Sequence, residues 1–72
     1  MRHLDTSGLK CPLPVLKAKK ALRELEQGEQ IRVLSTDPSS VQDFEDYCSN
    51  AGHALLEKKQ LADEYVFVIE KG

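Results

Sequence analysis

The pentapeptide Lys10-Cys11-Pro12-Leu13-Pro14 holds the densest chemistry in the sequence: one nucleophilic thiol, a cation beside it and two prolines after it. Pro12 restricts Cys11 to extended dihedrals, those of a residue that caps a helix. Pro12 itself suits the first helical position, where its missing N–H would have had no helical acceptor. The thiol is therefore predicted at a helix N-terminus. With Pro12 and Pro14 as first and third helical residues, the N–H groups of Leu13 and Val15 remain to face the sulfur. The positive end of the helix dipole and the Lys10 ammonium both favour an anion there, so the thiol is expected to titrate below its ordinary value. A persulfide, Cys–S–SH, is more acidic than a thiol and would sit there as an anion. Leu13 precedes a proline and is biased away from helical dihedrals, which would start the helix a residue or two late. The plainer reading of the same residues is a small cap residue in a turn that the prolines define.

From Lys10 to Arg23 the chain carries five bases (Lys10, Lys17, Lys19, Lys20 and Arg23) and no acid, whereas Glu24 to Gly72 carries eleven acids against four bases. The net charge of −2 thus hides a cationic island on an anionic chain. Such an island suits an acidic partner surface as well as it suits a solvated helix face; Lys10, Lys17, Lys20 and Arg23 are the candidate docking residues. A nucleic-acid binder would be basic overall, so direct nucleic-acid binding is not expected. Cys48 shares a helical stripe with Val41, Phe44 and Ala51 and reads as a buried structural thiol. His3 and His53 have no C-x-x-C or H-x-x-x-H partner pattern, so no metal site is expected. Asp43, Glu45 and Asp46 read as a solvated acidic face.

The elements that must position these residues are short. His3–Thr6 is a brief candidate strand before the Ser7-Gly8 turn. Pro12–Glu26 has the stripe Val15, Ala18, Leu22, Leu25 of an amphipathic helix, ended by Gly28. Gln30–Thr36 reads as a strand stopped by Asp37-Pro38. Ser39–Ala51 reads as a second helix, capped by Asp37 or a following Ser and stopped by Gly52. His53–Gln60 and Glu64–Lys71 read as a hairpin about Leu61-Ala62-Asp63. The order β-α-β-α-β-β predicts an α+β two-layer sandwich in which two helices cover one face of a four-stranded mixed sheet. In the last strand Val66 and Val68 point away from Tyr65, Phe67 and Ile69, so apolar surface is expected on the uncovered face.

Seventy-two residues, 40% of them apolar and 31% charged, bound this to one small domain, 1–72, with a core that hides about 60% of the extended-chain surface. No apolar run is long enough for a membrane span and no leader pattern is present, so a cytoplasmic protein is expected. Two cysteines are too few for a disulfide scaffold.

Taken together, Leu4-Asp5-x-x-Gly8-Leu9-x-Cys11-Pro12-x-Pro14, the basic helix, Gly28-Glu29, a strand ending in Asp37-Pro38, and Cys48 to His53 before a terminal hairpin resemble the TusA-like (SirA-like) family of sulfur carriers. The resemblance runs nearly the whole chain. It implies that Cys11 accepts sulfur as a persulfide from a cysteine desulfurase or another donor and hands it to an acceptor protein. Pro12 and Pro14 would shape the loop, and no cofactor of the chain's own would be needed. The outlets that it implies include tRNA thiolation, sulfuration of molybdenum cofactor enzymes and sulfur oxidation. Members linked to tRNA thiolation often have an acidic residue between the prolines, where this chain has Leu13, so the pathway stays open. Two other classes compete. A thiol redox switch or regulatory module would bind a protein or nucleic acid through the basic helix. A carrier using a C-terminal thiocarboxylate would need a terminal Gly-Gly, and this chain ends Lys71-Gly72.

Overall fold

In the computed structural model, which describes residues 1–72, the elements follow the expected order: β1 (Arg2–Thr6), α1 (Leu13–Arg23), β2 (Gln30–Ser35), α2 (Ser40–Ala51), β3 (Ala54–Leu61) and β4 (Glu64–Glu70). The sheet runs β1-β2-β4-β3, with β1 parallel to β2 and the other pairs antiparallel. Register places Leu4 beside Val33 and Val33 beside Phe67, then Ile31 beside Ile69 and Ile69 beside Leu55, all on one face. That face packs with Ala18, Ala21 and Leu22 of α1 and Phe44 and Cys48 of α2 into one core. At its centre the Phe44 and Phe67 rings stack, with centroids 4.6 Å apart. The two helices therefore lie on the same side of the sheet, because period-two and period-3.6 patterns supply matching apolar stripes.

Helix α1 is shorter than its periodicity predicts. It starts at Leu13, with Pro12 as the capping residue, and it ends at Arg23. Leu13 is helical although it precedes Pro14, so the pre-proline bias delays the start by no more than the one residue Pro12. At the other end, Glu24 and Leu25 donate to the carbonyls of Ala21 and Leu22 in a tightened turn, and Glu26 N–H donates to the Glu29 side chain. The chain is thereby turned so that Leu25 packs on the core and Lys71 Nζ donates to its carbonyl. Gly28 serves the turn before β2, at φ 89°, and does not end the helix directly. Gly52 does end α2, in the left-handed region at φ 79° with its N–H on Cys48 O.

The other sheet face is not the apolar surface expected. Val66 and Val68 are 4% and 8% exposed. They sit on a central strand, flanked by Leu34 and Lys59 and by Arg32 and Glu57 across the ladder. Such long stems cover a central valine while their charged ends stay wet. A bulge at Leu55/Glu57 leaves Leu56 half exposed and turns Lys58 toward the helix side, where it meets Glu45 of α2 at 3.1 Å. No helix is long and apolar enough to cross a membrane.

Topology concentrates four element ends at one pole. The parallel strands β1 and β2 finish where α1 and α2 begin, the edge at which open α/β sheets present ligands. Arg2 pairs with Ile31 and Gln30 with Glu70, so both chain ends lie at the opposite pole.

Candidate functional site

Buried hydroxyls build the floor of that pole. Thr6 Oγ1 donates to Leu34 O at 2.5 Å, and Ser40 Oγ donates to Asp37 O at 2.6 Å. Ser35 Oγ accepts Asp37 N–H at 3.2 Å. All three residues are almost wholly buried, and each hydroxyl is paired. The loop after β1 is laid over this floor by Leu9 N–H to Thr6 O and by Gly8 N–H to Thr36 Oγ1 at 2.9 Å.

Asp37 ties the loop down. One carboxylate oxygen accepts the backbone N–H of Cys11 and the other accepts Ser39 N–H at 3.1 Å, so a single side chain holds the turn that leads into α2 and fixes the residue that carries the thiol. These bonds, that to Cys11 first, hold the Asp37 carboxyl below the usual Asp range. The sequence offered Asp37 as a stop and a cap; its hold on Cys11 spans chain that no local pattern connects.

Cys11 is a free, exposed cysteine, joined to Pro12 by a cis peptide bond. Pro12 is exposed while Pro14 is fully buried and anchors the first turn of α1. Of the two N–H groups expected to face the sulfur, one is taken by another acceptor. Leu13 N–H is engaged by Lys10 O at 2.8 Å, because the helix starts one residue late, and Val15 N–H alone in the first turn takes no backbone acceptor.

The electrostatics of the thiol run opposite to expectation. Its pKa lies above the ordinary value, chiefly because the Asp43 side chain engages the thiol, then through desolvation and the charges of Asp43 and Asp37. Lys10 acts on Asp37 instead of on the sulfur. Asp43, read from sequence as part of a solvated face, is half-buried in the first turn of α2, with an enclosed Oδ2 that meets no donor at full hydrogen-bonding geometry. Helical phase would have found it: Asp43 lies one turn beyond the Asp37–Ser40 cap, on the side toward the loop.

The basic residues do not form one patch. Lys10 lies on the loop beside Asp37. Lys17 and Lys20 line a shallow hollow with Arg2, Leu4, Ala21 and Glu24. Arg23 opens with Lys19 on a cleft of about 330 Å³ against Tyr47, Asn50, Ala51, His53 and Lys71. At 1.5 Å per residue Arg23 is about 15 Å along the helix from Leu13, far from the thiol. Nearer to it, Leu13 and Leu16 are 45% and 51% exposed, an apolar flank that the core stripe does not include. Cys48 is buried, as expected, and its thiol is pushed up by burial. His53 Nδ1 accepts Gly72 N–H at 3.1 Å and its ring tilts against Tyr47. No group of three or more His, Cys, Asp or Glu residues is arranged to hold a metal ion.

Comparison with known proteins agrees over almost the whole chain. The family model described as sulfurtransferase TusA matches residues 2–71. A sulfur carrier protein TusA of Allochromatium vinosum is 43% identical over 70 residues, 97% of this chain and 92% of its own length. A putative sulfur carrier protein of Neisseria meningitidis is 45% identical over 67 residues, 93% of this chain and 90% of its own. The crystal structure of a SirA-like protein from Desulfitobacterium hafniense superposes with a TM-score of 0.87 at 32% identity, covering 100% of this chain and 99% of that one.

Proposed function

The chain belongs to the sulfurtransferase TusA family, and from that premise we propose that it is a sulfur carrier whose Cys11 holds the cargo as a persulfide. The observation that carries this reading is an exposed thiol on a loop fixed at both ends by hydrogen bonds, at the mouth of α1. A carrier must present one sulfur to two active sites in turn, which a tethered and accessible loop permits.

In loading, the Cys11 thiolate attacks the outer sulfur of a donor persulfide, R–S–SH. The donor's S–S bond breaks, the Cys11–S–SH bond forms, and the donor leaves as a thiol with the proton that Cys11 gave up. Unloading repeats the exchange with an acceptor thiolate. No oxidant is consumed, and the chain itself needs no cofactor. The positive end of α1 works for the sulfur anion, against the carboxylates of Asp43 and Asp37 that raise the pKa of the thiol. Pro12 and Pro14 shape the turn, and Lys10 on the loop, the exposed Leu13 and Leu16, and Lys17 a turn along α1 offer a mixed landing surface next to it.

The donor is a cysteine desulfurase or another persulfide protein, and the acceptor is a second protein in a relay such as tRNA thiolation or cofactor sulfuration. A reducing cytoplasmic setting suits this chemistry. A redox switch is the weaker reading, because Cys48, the only other thiol, is sealed in the core and offers Cys11 no resolving partner.

Incubation with a cysteine desulfurase and cysteine, followed by intact mass, tests the proposal. The expected result is a reductant-labile gain of one sulfur atom that is lost in Cys11→Ser and kept in Cys48→Ser. Loading that survives Cys11→Ser would overturn the site assignment.

A further inference from the structure

The charged groups that act on the Cys11 thiol are carboxylates, although the helix behind it is basic. Asp37, from the turn between β2 and α2, holds the Cys11 N–H, and Asp43, from the first turn of α2, has an enclosed oxygen with no donor of its own. From the loop, the charge of Lys10 acts on Asp37; from α1 there is no acid in the first turn, and the first base, Lys17, lies a full turn along. The pull of Asp43 on the thiol, which raises its pKa, agrees with this arrangement.

Resting on the persulfide reading of Cys11, we propose that Asp43, seconded by Asp37, selects the thiols that exchange sulfur with it: small anionic thiols are repelled, and a protein thiol accompanied by a cationic side chain is admitted. When an acceptor thiolate attacks the outer sulfur, the S–S bond breaks and Cys11 departs as a thiolate that then takes a proton. Departure beside two carboxylates is slow, because a thiol of raised pKa is a poor leaving group. An anionic thiol such as glutathione brings a further negative charge to the same place. Each like charge at ~6 Å in water slows its approach by about threefold. A partner's Arg or Lys brought alongside Asp43 and Asp37 offsets their charge and removes both obstacles as it docks. The cargo is thereby withheld from free anionic thiols and surrendered to the proper protein.

Alkylation of Cys11 with neutral iodoacetamide and anionic iodoacetate, read by peptide mass at neutral pH and low salt, tests the charge selection without any donor. In either reaction the sulfur displaces iodide and its proton goes to solvent. The iodoacetamide-to-iodoacetate rate ratio should exceed that of N-acetylcysteinamide by several-fold and fall toward it in high salt. Asp43→Asn should lower the ratio by about threefold, while Asp46→Asn, which removes the same charge from the exposed side of α2, should leave it alone. For persulfide-loaded protein, the preference for cationic cysteamine over glutathione should narrow in Asp43→Asn. A ratio that Asp43→Asn leaves unchanged, or that Asp46→Asn moves as far, would overturn the proposal. Should Asp43→Asn fail to fold, a wild-type ratio indifferent to salt would do the same. Failed sulfur loading with the charge-selective ratio intact would instead overturn the carrier reading alone.

Discussion

The two cysteines differ enough in environment for their chemistry to be separated in a single experiment. Cys11 is exposed, whereas Cys48 is 3% exposed within the core that holds Phe44 and Leu22. A reagent reaches Cys48 only when the domain opens. At about 0.05–0.15 kcal/mol per residue, a domain of this length is stable by about 4–11 kcal/mol. With ~1.4 kcal/mol per decade, even the lower figure slows Cys48 by about a thousandfold relative to an accessible thiol. Burial also raises the Cys48 pKa, which slows it further. A chromogenic disulfide reagent should therefore release one equivalent quickly and the second only over a much longer time or in denaturant. Cys48→Ser should abolish the slow phase. It also places a hydroxyl in the core, at a cost of about 1–3 kcal/mol that bonding to a carbonyl one turn back draws toward the lower end. Its melting temperature should fall by about 4–8 °C. Cys11→Ser should abolish the fast phase and leave the melting temperature where it was. Two thiols labelled at comparable rates in native buffer, or a Cys48→Ser variant as stable as wild type, would refute the packing described for α2.

Three other outcomes follow from the geometry. Asp5, whose carboxylate accepts Ser7 N–H at 2.9 Å, and Asp37 are both held below the ordinary Asp value. Their contribution is complete above the unfolded-chain value of about 3.9 and is lost as the pH falls through the lower folded-state values, so Asp37→Asn should flatten the acid limb of melting temperature against pH; an unaltered limb would count against the Asp37 bonds. Ala62 occupies the hairpin turn at φ 54°, where an L-residue is strained; Ala62→Gly should raise the melting temperature by about 2–4 °C, relief of strain outweighing the added chain entropy, and a decrease would refute that balance. Charge reversal at Lys17 should slow sulfur uptake from a donor protein more than reversal at Arg23, which sits at the far end of α1, and equal effects would argue against a landing surface close to the thiol.

Local patterns were enough for the element order, since Val15, Ala18 and Leu22 or Phe44 and Cys48 announce a helical stripe within a few residues, and the Tyr65 to Ile69 run announces a strand. They were also enough to place Cys11 just before a helix and to bring that helix start into question, because the conflict between Leu13 and Pro14 is written in adjacent residues. The acidic setting of the thiol was not legible. Asp37 and Asp43 reach Cys11 only after β2 has paired with β1 and α2 has folded back, and a charge count along α1 pointed to the opposite sign. Similarly, Val66 and Val68 look exposed by alternation alone; their burial depends on β4 being inserted between β2 and β3, an order that the chain sequence does not spell out.

The polar separation of thiol and chain ends has a practical corollary. Met1 and Gly72 leave the sheet at the edge away from Cys11, about 16 Å from it along a five-residue strand, in a molecule whose longest extent is 31 Å. A fluorophore, resin linker or fused module appended at either end would trail behind the reactive loop. Immobilised molecules would therefore face the bath sulfur-first, ready for partner capture.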